Sequence, residues 1–455
     1  MIAGSFGRDT DFGATTLAGP SPFFNFTANS FVACLSAAGA WRWATSARTP
    51  GSRGSRASSG GIATGVAVAP TGEVLVTGNF RDTLTFGATT LLTSGRTYEA
   101  YVARLSATGA WQWAVATAGS TGTGGFTGPN AYDYTRGTRI GIDAAGNALV
   151  TGYFARGLTL GTLTLSRRDT IGTDPFVAKL NPAGVWMWAT TISRPTTWGA
   201  NLNGLLVDAA GNLLLTGSVV GPVTLGSITL TSPPGLARAY VAKLSAAGTW
   251  LWASASDGGG NAQMIDGGLA LAVDAAGQVL VAGYAAHVAP GIPYNSLPLV
   301  AKLSSTGAWG WRATGSVNSP RDYAVCFGLG FTPAGDVQVA GLFKGTTTLG
   351  TTSITSLDSG SVFIATLTNG PLATPTLLAA APPLSVWPNP AHQTATIRTQ
   401  ADELVEVLDA QGRVVRACPR GAAGVTADRL LDVRGLAPGL YLVRAGAATR
   451  RLVVE

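Results

Sequence analysis

Repeated acidic turns, paired tryptophans and four mixed polar loops are where this 455-residue chain could carry chemistry. Asp143, Asp208 and Asp274 recur in one frame, Asp-Ala-Ala-Gly, and a repeated carboxylate suggests calcium. The frame argues against an ion, because Ala69 and Thr332 stand at that position in two other copies. An aspartate that accepts hydrogen bonds from its own turn explains the pattern without metal. A Trp-x-Trp pair recurs at Trp41/Trp43, Trp111/Trp113, Trp186/Trp188, Trp250/Trp252 and Trp309/Trp311. Aromatic platforms bind sugars, but each such ring buries about 150–250 Å², worth roughly 4–6 kcal/mol as an upper estimate. Residues i and i+2 share one face of a strand, so packing between neighbouring units is the expected role.

The segments that follow each Trp-x-Trp strand vary while the strands repeat, and variable loops on a rigid scaffold commonly carry function. The richest, residues 127–139, holds Tyr132, Asp133, Tyr134 and Arg136. Others hold Trp198 with Asn201 and Asn203, Asp257 with Asn261 and Asp266, and Arg321, Asp322 and Tyr323. Such sets suit a glycan or a protein surface. Two of their carboxylates would serve glycoside hydrolysis only about 5–5.5 or 6.5–9.5 Å apart in a cleft. For any single loop, a solvated connection is the simpler reading.

No catalytic motif, cofactor motif or metal-ligand spacing accompanies them. The chain has two histidines, His287 and His392, and three widely spaced cysteines, Cys34, Cys326 and Cys418. These cannot build a disulfide framework and lack zinc-site spacing. The net charge is +7, but the nearest basic cluster is Arg48, Arg53 and Arg56 among small residues. Nucleic-acid binding would want a dense basic stripe with stacking aromatics, so that partner is not expected. No apolar run reaches membrane-helix length, the best stretch around Leu377–Val386 being broken by Pro382 and Pro383.

Positioning such residues falls to an internal repeat. One element reads Ile142-Asp-Ala-Ala-Gly-Asn-Ala-Leu-Val-Thr-Gly152, and its turn glycine recurs at Gly72, Gly211, Gly277 and Gly335. A second reads Tyr240-Val-Ala-Lys-Leu-Ser245, with counterparts starting at Phe31, Tyr101, Phe176, Leu299 and Phe363, and leads into Trp-x-Trp. Between them lies a Gly-centred stretch such as Leu225-Gly-Ser-Ile-Thr-Leu230, degenerate at Ile292–Leu297. Each repeat reads as two hairpins with a type I turn followed by a left-handed glycine. Four strands per repeat in tandem predict an all-β, six-unit, incomplete β-propeller over residues 1–368.

These submotifs, in order, resemble the bacterial extracellular β-propeller repeat called SBBP, over about residues 2–367. The resemblance implies a fold and a secreted setting but no shared catalytic residues. Sialidase-type propellers carry Ser-x-Asp-x-Gly-x-x-Trp turns. Ser245-Ala-Ala-Gly-Thr-Trp250 lacks the aspartate and places tryptophan one residue early.

Residues 369–384 form a Pro/Ala-rich linker. Residues 385–455 then hold 16 of the 53 charged residues and read as a small β-sandwich. This tail resembles the type A C-terminal sorting domain of type IX secretion. The matching residues are Pro388, Asn389 and Pro390, then Asp409, Gly412 and Arg413, then Pro438, Gly439 and Tyr441. Membership implies export through a Gram-negative outer membrane by the type IX machinery, tail removal by a sortase, and release or surface attachment. Such cargo needs a signal peptide, and none is visible after Met1. The first repeat also starts at its second strand and the sixth stops at its third, so a truncated start is expected. The expected function is non-enzymatic binding, adhesion or surface architecture, with a glycan or surface protein as ligand. The alternative is glycan processing by loop carboxylates.

Overall fold

The computed structural model describes the chain apart from residues 21–27, 50–59, 94–97, 120–134, 167–171, 194–198, 259–263, 288–295, 320, 333–334, 357–359, 368–375, 378–384, 401–403, 410–412, 419–425 and 446–447. The described residues are all-β, with no helix. Two compact bodies result: Met1–Val362 with Leu367–Thr374, and Phe363–Thr366 with Pro375–Glu455.

Repeat 3 illustrates the first body. Its four strands, Thr135–Ile142, Ala148–Phe154, Asp174–Leu180 and Trp186–Ser193, pair antiparallel in sequence order. Repeats 2, 4 and 5 build the same four-stranded order. The hairpin turns close as the sequence predicts: Gly146 N–H donates to Asp143 O, and Asp143 N–H donates to Asn147 O. Gly146 sits at φ +77°, and Gly72, Gly211, Gly277 and Gly335 take the same left-handed conformation, where a Cβ would clash with the backbone.

The Gly-centred stretch departs from the two-hairpin expectation. It forms a third hairpin of its own, Gly157–Leu160 with Leu163–Ser166 in repeat 3. The cause is local, since alternating Leu158 and Leu160 are buried and Gly161 turns at φ +59°. This hairpin pairs with the end of the preceding repeat's last strand or the residues just beyond it, through Ala118↔Thr159, Ile192↔Leu225 and Ser316↔Thr348. At the first junction Arg48 and Thr85 exchange both backbone hydrogen bonds. Repeats 2, 3, 4 and 6 are thereby stitched to the ones before them.

Hydrophobic layers lie between repeats. Val32 of repeat 1 packs with Val74 and Val76 of repeat 2, and Val177 of repeat 3 with Leu213 and Leu215 of repeat 4. Nearest-neighbour stacking of this kind is how tandem repeats bury a core that no single repeat can supply.

The second body contains a three-stranded sheet (Ser385–Trp387, Thr394–Gln400, Thr426–Asp432) and a four-stranded sheet (Val414–Cys418, Val405–Leu408, Gly439–Ala445, Ala448–Val454). Both sheets contribute to one apolar core that includes Ile397, Leu431, Val407, Val443 and Leu452.

Candidate functional site

The polar and aromatic residues of the repeats divide into those that fasten repeats together and those that remain on an accessible face. The second tryptophans of the first four pairs belong to the first group, whereas Trp311 is exposed. Trp43 Nε1 donates to Ala107 O at 3.0 Å, Trp113 Nε1 to Pro182 O at 2.9 Å and Trp188 Nε1 to Ala246 O at 3.1 Å, each in the next repeat. Each ring lies over that turn's glycine, so a Cβ on Gly248 would approach Trp188 Cδ2 to 2.8 Å. In repeats 1 to 4 the first tryptophan covers the third hairpin of its own repeat, with Phe86 and Trp111 meeting edge-on at 4.9 Å.

The turn carboxylates are fasteners too. Asp143 Oδ1 accepts the Ala145 and Asn147 N–H groups, and its Oδ2 meets Lys179 Nζ at 2.9 Å. Lys243–Asp208 (3.0 Å) and Lys302–Asp274 (3.1 Å) repeat the pair. Burial pushes the Asp143 carboxyl up, but hydrogen bonds from Asn147 and Lys179 outweigh it and hold the group below its ordinary value. Where Ala69 replaces the turn aspartate, the acid moves to Glu73 and the lysine becomes Arg104, paired at 2.7 Å. Lys179 Nζ also donates to Ala246 O, and Arg104 Nη1 to Gly146 O and Pro182 O, reaching the next repeat.

Loop roots are held by buried polar residues at or near the start of a strand. Glu99 accepts from Thr117 Oγ1 and Gly119 N–H, and Asn29 Oδ1 from Thr49. Asp266 is fully buried, accepting from Ala239 N–H at 2.7 Å, from Ser256 Oγ and from Arg312 Nη1 at 2.7 Å. Arg238 Nη1 donates to Met264 O beside it. Glu99 and Asn29 were not visible as special in the sequence. Their signal is a polar residue at the first position of an otherwise apolar strand.

Of the residues expected to bind, Tyr132, Asp133, Tyr134 and Trp198 lie outside the described residues. Arg136 is exposed, its guanidinium 5.2 Å above the Tyr153 ring. Asp257 is exposed, one residue beyond the Ser256 that holds Asp266. Asp322 Oδ2 accepts Thr346 N–H at 3.1 Å beside Gly345, whose φ of +73° makes the turn. Arg321 is exposed and Tyr323 half-buried at the head of the Tyr323–Phe331 strand. Asp266 and Asp322 are thus engaged by backbone amides near separate first strands. Among the described residues no group of three or more His, Cys, Asp or Glu could hold a metal ion. Burial pushes the Cys326 thiol up to about 12, so it stays an unreactive thiol at neutral pH.

The accessible face is formed by the first strands of successive repeats, which lie side by side. Thr64 Oγ1 donates to Gly137 O at 2.7 Å and Asn203 Nδ2 to Gly268 O at 3.2 Å, each across a repeat boundary. Every first strand carries a bulge at the same place, between Ala63/Gly65, Gly137/Arg139, Leu202/Gly204, Gly268/Ala270 and Cys326/Gly328.

In the tail, Asn389 clamps the last strand, donating to Arg451 O and accepting from Val453 N–H, both at 2.8 Å. The Trp387–Pro388 and Asn389–Pro390 peptides are cis. Asp409 accepts Arg413 N–H and pairs with its guanidinium, with Gly412 outside the described residues. Pro438 precedes the Gly439–Ala445 strand, where Tyr441 donates its hydroxyl proton to Ala437 O at 2.8 Å.

Residues 385–455 match the family of secretion system C-terminal sorting domains. That tail marks the chain for secretion by the type IX system and for the cell surface. No curated protein matches the chain. Among solved structures, similarity is found to PorZ, a surface component of the type IX secretion system of Porphyromonas gingivalis, at 14% identity and a TM-score of 0.31. The match covers 97% of this chain but spans only 61% of PorZ. A Dyadobacter fermentans protein of unknown function gives 10% identity and a TM-score of 0.37, covering 82% and 95% of the two chains. A xylan β-1,4-xylosidase from Bacillus halodurans gives 10% and 0.32, covering 86% and 88%. No helix among the described residues is long and apolar enough to cross a membrane.

Proposed function

We propose that the repeat region is a six-unit β-propeller of SBBP type that acts at the cell surface by binding, not by catalysis. A sortase would remove the tail, leaving the mature protein released or attached. The observation that carries the binding reading is the fate of the carboxylates. Asp143, Asp208, Asp266, Asp274, Glu99 and Asp322 each accept backbone amides or strand hydroxyls within the scaffold. A general acid must instead present its proton to a substrate in a cleft. The accessible first-strand face, by contrast, differs in residue type from repeat to repeat, as a binding surface requires. A glycan array and a glycoside hydrolase panel, run on the full chain, test this. Retention of a glycan or surface protein without turnover is expected; release of product from any glycoside would overturn the reading.

A further inference from the structure

We propose that the outward face of the tail's four-stranded sheet is the surface by which the type IX machinery holds this chain. The contact is an apolar strip that ends in a cation. It concerns the tail alone and is independent of what the repeat region binds.

In an antiparallel sheet with one face on a core, side chains alternate apolar inward and polar outward. The Gly439–Ala445 strand breaks that rule. Tyr441, Val443 and Ala445 belong to the apolar core of the tail. Leu440 and Leu442 alternate with them and so point outward, 53% and 40% exposed. Strand pairing gathers further apolar groups beside them. Leu442 lies opposite Leu408, and Leu440 opposite Val453. Leu408 in turn lies opposite Val414, which is 48% exposed. Residues directly opposite sit about 4.5–5.5 Å apart at Cβ, so the strip crosses all four strands.

Its rim is polar. Arg444 and Glu406, at the next outward positions, pair at 2.7 Å along one side. Arg451 lies opposite Leu442 and is exposed, with no ion-pair partner among the described residues. An apolar centre with a polar rim that includes arginine is the make-up of a protein–protein interface. The three-stranded sheet is built differently. Leu430 there is 69% exposed but lies opposite Thr396, and the Arg398 guanidinium sits 5.1 Å above the Trp387 ring.

Charge selects the occupant. A second copy would bring the same strip and the same cation, with its Glu406 already engaged by Arg444. A different protein can set a carboxylate against Arg451 beside apolar residues of its own. The tail matches a family of sorting domains, so the machinery that sorts the chain is such a protein.

The full chain, expressed behind a signal peptide in a Gram-negative cell with a type IX system, tests the face. The readout is the fraction that reaches the cell surface or the medium. Leu440→Thr/Leu442→Thr removes the centre of the strip with residues that suit a strand. It should lower that fraction at least about fivefold, the remainder staying in the periplasm. Its unfolding midpoint should stay at or above that of the parent, because the leucines it replaces point outward. Arg451→Glu should lower export at least about threefold, while Leu430→Thr on the other sheet stays within about twofold. Unchanged export of the double variant or of Arg451→Glu, or an equal loss from Leu430→Thr, would each overturn the face. A double variant that does not fold would overturn the outward placement on which the face rests. A dimeric parent that the double variant makes monomeric in sedimentation would overturn it in favour of a second copy. A parent that stays in the periplasm would overturn the face and the sorting role together.

Discussion

The repeat region and the tail are both all-β, yet they place their charges differently. In the repeats, Lys179 and Asp143 have side chains only 7% and 6% exposed, and Asp266 is fully buried against Arg312. In the tail, Arg398–Asp428 and Arg434–Asp432 lie at the surface, each partner about half exposed. The tail gathers residues of both its sheets into one apolar core and keeps these ion pairs outside it. A stack of repeats must instead specify which neighbour follows, and buried hydrogen-bonded charges reaching the next turn do so. Breaking a buried pair leaves an uncompensated charge, whereas an exposed pair is replaced by water.

That contrast can be broken at Asp266. Asp266→Ala leaves the Ala239 amide, Ser256 and the Arg312 guanidinium without their acceptor. It should cost about 3–5 kcal/mol of repeat-region stability in chemical unfolding; a loss near zero would show that the network is not a fastener. Next, Gly307→Ala forces a side chain into φ +87° and to 2.5 Å from Trp252 Cε3. A loss of about 2 kcal/mol is expected, with quenching of tryptophan fluorescence altered.

The turn aspartates give a smaller, pH-dependent effect. Burial raises Asp143, Asp208 and Asp274, but hydrogen bonds from the turn and the paired lysine leave each below its ordinary 3.8. Each therefore titrates lower folded than unfolded. Its contribution is complete above 3.8 and is lost as pH falls through the lower folded value. Stability of Asp143→Asn/Asp208→Asn should vary less with pH than that of the parent below about pH 4, where the parent should drop more steeply. Parallel profiles would sink the assignment. Smallest of all, Arg398→Ala in the tail should leave the unfolding midpoint unchanged within error, although the Asp428 partner is held below its usual range by that arginine.

Local chemistry was legible because it repeats. The left-handed turn glycines, the self-capping aspartates and the glycine-flanked strands each depend on a few neighbouring residues. Even the third hairpin carried its own signal in the alternation around Gly87, Gly161 and Gly226, all at φ near +60°. The partners of Trp43, Lys179 and Arg104 were not legible, since they sit in the following repeat, 64, 67 and up to 78 residues away. Nor was the buried state of Asp266, which reads in sequence like any polar loop residue.

Residue types and periods alone determined that this chain is β-rich, built of tandem repeats, and closed by an export tail. These properties follow from short-range alternation, turn sterics and ordered motifs. Which cations fasten repeats and which face outward was decided only in three dimensions. A one-residue bulge turns Arg139 to the side of Arg136, and only strand pairing across the ladder creates that register.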